Sequence, residues 1–294
     1  MKILFCEDTF RQNSVDEAFT AEYECAKNNG FDILLYNFEE KKLKNNYIND
    51  KLETVIYRGW MINPFEYNEL YNGLLEKNLK LINSPKEYQN CHYLPDSLKF
   101  IENYTPKTIF EKYESKDSIK TIIEKAKIFD GKPIIVKDYV KSEKHYWDTA
   151  CFVQNSNDIP KLAETINNFI DLREDYLNEG IVLREYIGLH NLTSHSKSGM
   201  PLSEEYRLFF YKNDFLCMYN YWEEGIYSSI DFDIKNFESI AKNVESNFFT
   251  MDIAKDIHGN FFIIELGDGQ VSGIPENEDK NIIYQKIAEK QPGA

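Results

Sequence analysis

The sequence predicts a protein that begins with an α/β domain and continues as α+β structure. Short apolar runs alternate with helical patterns through the first part of the chain, which is typical of parallel strands joined by helices. Later segments contain aromatic strand runs joined by tight turns, which is typical of antiparallel hairpins. The chain has 294 residues, of which 42% are hydrophobic, so a packed core is expected in each part.

The first predicted domain, residues 1–84, contains four predicted strands. They are the runs KILFC, FDILLYNF, TVIYRGW and LKLIN. Between the first two strands, Ser14 and Glu17 have the spacing of a capping box, and Gly30 is expected to end the helix that follows. Pro64 fits the first turn of a second helix. Strands separated by helices in this way favour a parallel sheet.

Two α+β lobes are predicted after this domain, at residues 85–185 and 186–294. The first lobe contains the strand runs KPIIVKDYV, ACFV and GIVLREYI among helices. A polar segment at 189–203 is predicted to be a loop. In the second lobe, Asn213 and Asp214 separate two aromatic strands, which predicts a hairpin.

Composition and charge exclude several classes of protein. The formal net charge of −15 argues against duplex nucleic acid as a partner, because its phosphates reward Lys and Arg. No stretch approaches 18 apolar residues, so a membrane span is not expected, and the N-terminus lacks the apolar region of a secretory signal. Five scattered cysteines without a CxxC pair predict no disulfide framework, so a cytoplasmic location is expected.

Two carboxylates occur in the last pair of predicted strands. Asp252 lies inside the first strand and Glu265 near the end of the second, with a tight turn around Gly259 between them. A hairpin register can bring both carboxylates to one end of the sheet, where burial is costly unless a cation compensates them. Mg²⁺ takes such ligands together with substrate phosphates. The alternative is that Asp252 caps a turn and Glu265 faces solvent.

Cationic and acidic residues also stand at the ends of other strands. Lys137 follows a buried run, and a buried ammonium requires an anion such as a nucleotide phosphate, unless it is an edge lysine that reaches solvent. Arg184 and Glu185 end the run IVLREYI. Glu205 and Arg207 are two residues apart at the start of a strand and therefore share one face.

The order of these signals resembles the ATP-grasp superfamily. Within it the chain is most similar to the clade named for its arginine and lysine signature, in which ends such as ELGDGQVSG occur. The resemblance covers most of the chain, including the α/β domain before the ATP-binding lobes. It implies an ATP-grasp fold in which the lobes 85–185 and 186–294 clamp ATP and Mg²⁺.

The resemblance also implies roles for individual residues in nucleotide binding. Lys137 matches the lysine that contacts the α- and β-phosphates. Glu185 and the backbone of Tyr186 and Ile187 match the hinge that reads adenine. Glu205 matches the acidic residue that hydrogen-bonds the ribose.

The metal ligands match the family pattern only in part. Asp252 and Glu265 match the carboxylates that hold Mg²⁺ against the triphosphate. Most relatives end the metal strand as Glu-x-Asn, whereas the third position here is Gly267. Asp268 or Gln270 must then replace that ligand, and Asp268 is the favoured candidate.

The phosphate-covering loop, which is usually glycine-rich, reads VKSEKHYWDTA and contains no glycine. Either Lys141 and Lys144 replace backbone amides as phosphate donors, or the loop serves the second substrate through His145. An aromatic plug under the loop is the alternative for His145 and Trp147. Three lysines remain open as the match to a further lysine of the family: Lys86, Lys99 and Lys107.

Arginines are the candidates for substrate and phosphate recognition. Arg58 lies at a strand end in IYRGW, and ligands gather at the carboxyl ends of strands in open α/β sheets. Arg58 is therefore a candidate for binding a substrate carboxylate, and the alternative is that it is an ordinary surface arginine. Arg184 is a second candidate for substrate contact, and Asp8 is a weaker one. Arg207 is placed to face the γ-phosphate or an acyl phosphate and is, with Lys137, the predicted catalytic residue.

The resemblance implies an ATP-dependent carboxylate–amine ligase that forms an acyl phosphate. Its expected substrates are a small-molecule or peptide carboxylate and an amine, and a homodimer is a further expectation. The loop 189–203, which ends in Gly199-Met200-Pro201, is predicted to act as a lid that excludes water. Two alternatives remain open: a small-molecule kinase, and a nucleotide-binding regulatory protein without turnover. AMP-forming chemistry also remains open.

Overall fold

A computed structural model describes residues 1–44, 47–196, 201–227 and 232–291. The chain forms two compact units, each assembled from separate stretches of sequence. The first unit contains Met1–His92, Asn191–Ile253 and Leu266–Ala294. The second unit contains Tyr93–His190 and Ala254–Glu265. Among the described residues, no helix has both the length and the apolar character needed to cross a membrane.

The N-terminal part of the first unit is a five-stranded sheet with helices, which confirms the predicted α/β class. The sheet has the order β3-β2-β1-β4-β5, and all neighbours are parallel except β3, which pairs antiparallel with β2. The strands are β1 (Lys2–Cys6), β2 (Asp32–Asn37), β3 (Lys42–Leu43), β4 (Glu53–Arg58) and β5 (Leu79–Leu81). The helices are α1 (Thr20–Asn28), α2 (Pro64–Leu75) and α3 (Pro85–His92).

One of the two predicted helix starts is confirmed and the other is wrong. At α2, Asn63 and Glu66 form a reciprocal capping box ahead of Pro64. The predicted box at Ser14 does not form, because a bridge between Glu7 and Val15 holds this segment extended. The side chain of Asp16 instead accepts a hydrogen bond from the Ala18 amide, at a short 3₁₀ turn before α1.

A four-stranded antiparallel sheet forms the centre of the second unit. Its order is β6-β9-β7-β8, and the short strand β8 pairs with β7 as the sequence predicts. The elements of this unit are α4 (Leu94–Ile101), β6 (Thr108–Lys112), α5 (Lys116–Lys125), β7 (Ile134–Asp138), β8 (Phe152–Val153), α6 (Ile159–Arg173) and β9 (Gly180–Glu185). One face of the sheet packs on α5 and α6 through one apolar cluster, whose sheet residues include Ile134, Val136, Ile181 and Leu183.

The C-terminal part of the chain is rich in hairpins. Its elements are β10 (Asn191–Ser194), β11 (Pro201–Ser203), β12 (Glu205–Tyr211), β13 (Asp214–Asn220), α7 (Ile234–Ala241), β14 (Phe248–Lys255), β15 (Phe261–Asp268) and α8 (Asn281–Glu289). The main sheet has the order β13-β12-β14-β15. Lys212 and Asn213 have φ of 50° and 64°, so the turn between β12 and β13 uses left-handed backbone and confirms the predicted hairpin.

The segment predicted as a loop at 189–203 is partly regular, which corrects that prediction. Its two ends pair as the antiparallel ribbon β10–β11, with Asn191 opposite Ser203. Thr193, Ser194 and other polar residues can form strands here because a two-stranded ribbon requires only backbone hydrogen bonds. Gly199 and Met200, at the end of the predicted lid, lie outside the described residues.

The core of the first unit joins the N-terminal sheet to the C-terminal strands. Phe5 and Ile56 of the parallel sheet belong to the same buried cluster as Phe209, Phe248 and Tyr284. The burial of five such side chains contributes roughly 1.5–3 kcal/mol each. The N-terminal sheet and these C-terminal residues therefore share one apolar core within the first unit.

Candidate active site

Two cations lie on the face of the second unit's sheet that does not pack on α5 and α6. In the pairing of β7 with β9, Lys137 is opposite Val182 and Ile135 is opposite Arg184. Because side chains alternate along a strand, Lys137 and Arg184 point to the same face. Ile134 and Val136 point to the other face and fill the apolar core. The alternation of side chains along β7 and β9 therefore places Lys137 and Arg184 on the same face of the sheet.

Lys137 is buried with little compensation for its charge. It is 8% exposed, and its ammonium lies 3.8 Å from a carboxylate oxygen of Glu265. Within the described part of the chain, this ion pair is the only polar contact of the ammonium. Burial lowers the pKa of Lys137, and Arg184 lowers it further, although Glu265 opposes both effects. The site is thus preorganised for an added anion.

Arg184 is buried beside Lys137 and is only partly satisfied. Its guanidinium donates hydrogen bonds to the carbonyl oxygens of Ile263 (3.1 Å) and Ile264 (2.6 Å), and to the hydroxyl of Thr105. Its Nε–H is buried and has no hydrogen-bond partner among the described residues. Burial lowers the pKa of Arg184 to about 10. An unpaired buried donor is costly, and an incoming acceptor removes that cost.

The glycine-free loop after β7 is anchored at its base by Asp138. This fully buried carboxylate accepts five hydrogen bonds, from the amides of Val140 and Lys141, from the amide and side chain of Asn178, and from Arg173. Arg173 also pairs with Glu143 at 3.1 Å. Neither Asp138 nor Arg173 is among the residues predicted from the sequence. The position of Asp138, a carboxylate directly after Lys137, is the local signal that could have identified it.

The rest of this loop presents its predicted ligands to solvent. Lys141, Lys144 and His145 are exposed, so each side chain is accessible. Trp147 stacks on Phe152 with ring centroids 5.0 Å apart and meets Tyr186 edge-on at 5.8 Å. Trp147 therefore packs as an aromatic plug, while His145 stays available for a ligand.

The predicted hinge residues follow directly after Arg184. Glu185 points to the opposite face and accepts a hydrogen bond from Lys132 at 2.6 Å. The amide of Tyr186 donates to the carbonyl of Pro133 at 2.8 Å, and the Tyr186 side chain is exposed. Ile187 continues the chain as a half-buried residue.

Within the first unit, Arg207 and Asp252 form a close ion pair. Nε and Nη2 of Arg207 donate to the two carboxylate oxygens at 2.8 and 2.7 Å, a bidentate arrangement. Nη1 donates to the carbonyl of Gly273 at 2.9 Å, and the guanidinium lies 4.7 Å from the ring centre of Tyr221. Two residues before Arg207, Glu205 is buried at the start of β12.

Comparison with known proteins identifies the family. The family described as ATP-grasp domain, R2K clade family 3, matches residues 129–287, which is more than half of the chain. The chain belongs to the ATP-grasp superfamily. No curated protein sequence is significantly similar to it.

Solved structures of ATP-grasp proteins match nearly the whole chain. A RimK domain protein from Sphaerobacter thermophilus has a TM-score of 0.61 at 11% identity and covers 98% of both chains. D-alanyl-alanine synthetase A from Vibrio cholerae has a TM-score of 0.57 at 11% identity, again over 98% of both chains. The ATP-grasp ligase PsnB, in complex with a phosphomimetic precursor variant, Mg and ADP, has a TM-score of 0.58 at 11% identity over 99% of both chains. At such identity the matches establish the ATP-grasp fold alone, including its N-terminal α/β domain.

Gly267 explains why the third metal ligand of the ATP-grasp pattern is missing. A Cβ at this position would lie 2.6 Å from the Thr250 hydroxyl and 2.8 Å from the Ser272 hydroxyl. These hydroxyls hydrogen-bond to each other at 2.9 Å and are buried. The cradle therefore has no room for an asparagine.

Asp268 and Gln270 are the two candidates to replace that ligand, and both have hydrogen-bond partners inside the first unit. Asp268 accepts hydrogen bonds from Asn83 at 2.6 Å and from the backbone and side-chain nitrogens of Gln270. The side-chain oxygen Oε1 of Gln270 accepts from the amide of Tyr57 at 3.2 Å. Among the described residues, no group of three or more His, Cys, Asp or Glu side chains is arranged to hold a metal ion. Asp268 is thus a buried carboxylate held by donors within the first unit, and its role as a metal ligand stays a prediction.

Arg58 is also reassigned from the predicted substrate site to the interior. It is 2% exposed, and its Nε and Nη2 each donate to Glu22 at 2.8 Å. Its Nη1 donates to the carbonyls of Gly269 and Ser272. Asp8, the weaker candidate, pairs with Arg11. A guanidinium with every nitrogen engaged inside the protein is not available to a carboxylate substrate.

Asp268 gives a prediction about pH. Burial raises the pKa of Asp268 from 3.8 to about 7, although the Asn83 and Gln270 donors oppose this change. Between these values the folded state binds more protons than the unfolded state, so stability falls as pH rises. The contribution lost from pH 4 to 8 is on the order of 4 kcal/mol. Urea unfolding across this range should show the decline in the parent, and a smaller decline in Asp268→Asn. Equal slopes in the two proteins would contradict the assignment.

Proposed function

We propose that the chain is an ATP-dependent carboxylate–amine ligase that works through an acyl phosphate. The observation that carries the proposal is the buried pair of cations, Lys137 and Arg184, on the sheet face opposite α5 and α6, where one N–H of Arg184 has no partner among the described residues. Burial of such a pair is costly unless an anion compensates its charge. A triphosphate is the anion that the ATP-grasp fold binds.

Lys137 would contact the phosphates, and Arg184 would support it from the same face. Lys141 and Lys144, on the loop held by Asp138, would add donors where other ATP-grasp proteins use glycine amides. Glu185 and the backbone of Tyr186 and Ile187 would read adenine, and Glu205 the ribose. The exposed ring of Tyr186 is consistent with that role.

Asp252 and Glu265 would hold Mg²⁺, which neutralises charge on the transferring phosphoryl group when bound. Both oxygens of Asp252 accept from Arg207, which holds the carboxylate in a fixed orientation. Two carboxylates with phosphate oxygens and water satisfy Mg²⁺. The donor set therefore fits the ion without a third protein ligand.

Arg207 would stabilise the acyl phosphate and the oxyanion that forms when the amine attacks it. The tight pair with Asp252 fixes its guanidinium before substrate arrives, so little reorganisation is required. Structural neighbours named as D-alanyl-alanine synthetase A, D-cycloserine synthetase and PsnB complexed with a precursor peptide support a small-molecule or peptide substrate for this chain.

A thermal shift experiment with Mg-ATP tests the proposal. A ligand that binds only the folded state raises its melting temperature, and we expect a rise that requires both Mg²⁺ and ATP. Screening carboxylates with amines for ADP release then follows. ADP release that depends on both would support the ligase, and release with a hydroxyl compound alone would favour a kinase. No shift at millimolar Mg-ATP would overturn nucleotide binding, and bound ATP that persists would indicate a regulatory protein.

A further inference from the structure

A small cavity lies at the carboxyl edge of the parallel sheet, within the first unit. Its volume is about 270 Å³. Its wall includes residues that follow three neighbouring strands: Glu7 after β1, Phe38 and Glu39 after β2, and Trp60 after β4. In open α/β sheets ligands gather at this edge, where the strand order reverses along the chain. We name this space the edge cavity.

The edge cavity is lined by carboxylates whose charge is not compensated. Among the described residues that line it, Glu7, Asp16 and Glu39 are acidic and none is Lys, Arg or His. Both oxygens of Glu7 accept from neutral donors, the amide of Asn13 at 2.8 Å and the side chain of Asn37 at 2.9 Å. Glu39 is exposed and has no hydrogen bond or ion pair with a described residue. A cation is therefore the favoured occupant.

Basic side chains on the surrounding loops pair with carboxylates that do not line the cavity. Arg11 pairs with Asp8 at 2.8 Å and with Glu17 at 3.2 Å. Lys42 pairs with Glu40 at 2.9 Å. These ion pairs leave the charge of the edge cavity unbalanced, and the net charge of −15 attracts further cations from solution.

Two aromatic rings form the apolar part of the wall. The ring of Trp60 is 54% exposed although it is fixed on two sides, because its N–H donates to Asp16 at 2.9 Å and Phe19 meets it edge-on at 5.2 Å. Phe38 is half-buried and packs edge-on against Tyr36, with ring centroids 4.9 Å apart. Rings that are already held in place offer a flat apolar surface without a further cost of ordering them.

The arrangement of these groups distinguishes between kinds of cation. Within the described part of the chain, no three carboxylate, thiol or imidazole side chains converge as a metal ion requires, so the acidic groups of the edge cavity stand apart from one another. A guanidinium is planar, carries five N–H donors that reach separate acceptors, and stacks on aromatic rings. An ammonium presents its donors from a single point and has no flat face.

We propose that the edge cavity binds a guanidinium group, with Glu7 and Glu39 as its counter-ions and the rings of Phe38 and Trp60 as its apolar walls. All four residues belong to the N-terminal sheet and its loops, so this role is independent of the proposed nucleotide chemistry. Free arginine and an arginine residue of a peptide both carry the group.

The test uses n-butylguanidinium as the probe and leaves out nucleotide. The chain has three tryptophans, so a Trp60→Phe variant identifies the indole N–H signal of Trp60 in a nitrogen–proton NMR spectrum. We expect millimolar n-butylguanidinium to shift this signal saturably, and n-butylammonium to bind at least about 5-fold more weakly. Equal affinity for n-butylammonium, or an equal shift with 1-butanol, would overturn the proposal in favour of a general cation site or an apolar site.

Charge-only substitutions locate the counter-ions. Glu39→Gln changes an exposed side chain with no partner among the described residues, so the fold should survive, and we expect affinity for n-butylguanidinium to fall at least about 3-fold. Glu7→Gln should lower it at least about 10-fold, because this carboxylate is held in place. Glu40→Gln, at the next position but outside the cavity, is the matched control and should bind like the parent. Unchanged affinity in both cavity variants, or an equal fall in Glu40→Gln, would overturn the proposal.

Two further probes identify the source of the guanidinium. Free arginine and Nα-acetylarginine amide share one side chain, but only the amide resembles a residue within a peptide. Tighter binding of the amide would support a peptide ligand, and tighter binding of free arginine would support a small-molecule ligand. Failure of both to compete with n-butylguanidinium would overturn the proposal.

Discussion

Replacement of Lys137 by methionine is expected to abolish stabilisation by Mg-ATP and, at the same time, to stabilise the ligand-free protein. Methionine has a similar length and volume but no charge. It removes an ammonium that is 8% exposed and that has a single carboxylate at 3.8 Å. Burying a charge with so little compensation is unfavourable, so its removal should raise the melting temperature. The phosphates would at the same time lose the cation that draws them into the site.

The measurement is thermal unfolding with and without Mg-ATP. At a nucleotide concentration 100 times the Kd, the parent should gain about 2.7 kcal/mol, and Lys137→Met close to none. Glu265→Gln should also lose the gain, but it should destabilise the ligand-free protein because Lys137 loses its counter-ion. Cys217→Ser, in the core of the first unit, should keep the gain. Full Mg-ATP stabilisation of both Lys137→Met and Glu265→Gln would show that the site lies elsewhere.

Replacement of Arg58 by methionine is expected to lower the free energy of unfolding by about 3–5 kcal/mol, because it leaves Glu22 buried and unpaired. Glu22 is 4% exposed and accepts a further hydrogen bond of 2.6 Å from Tyr284. The same change deprives the carbonyls of Gly269 and Ser272 of their donor. The loss therefore combines an isolated charge with two broken backbone contacts.

Urea unfolding of a double-mutant cycle measures this interaction. Glu22→Leu alone should also be destabilising, whereas the double variant Arg58→Met with Glu22→Leu should recover much of the loss, since no lone charge remains. Lys41→Met removes an exposed ion pair with Glu69 and should change the free energy of unfolding far less than Arg58→Met does. A loss below about 1 kcal/mol in Arg58→Met would contradict the structural role of Arg58.

Local sequence signals were sufficient for most of the fold. The runs around Lys137 and Glu265 predict strands because apolar residues and turn signals bound them, and both strands are present. Alternation along a strand then brings Lys137 and Arg184 to one face. By contrast, the capping box predicted at Ser14 and Glu17 does not form, because a bridge from Glu7 to Val15 determines the backbone there. Such tertiary contacts cannot be seen in a short window.

The partners of Arg58 show more clearly which contacts cannot be predicted from the sequence. Its carboxylate, Glu22, is 36 positions away in sequence, and one of its carbonyl acceptors, Gly269, is 211 positions away. A strand-end arginine looks the same in sequence whether it faces a ligand or a buried glutamate. Likewise, Asp268 stands next to the missing metal ligand, but its contact with Asn83 spans 185 positions and directs it inward. Contacts between residues so far apart in sequence become visible only once the chain is folded.

The cradle around Gly267 restricts how this protein can evolve. A Gly267→Asn change alone would drive a side chain into the hydroxyls of Thr250 and Ser272, so this single substitution is expected to destabilise the protein. Smaller residues at both hydroxyl positions would have to come first, and each such change would break the hydrogen bond between them. An asparagine at position 267 is therefore accessible only together with changes at Thr250 and Ser272.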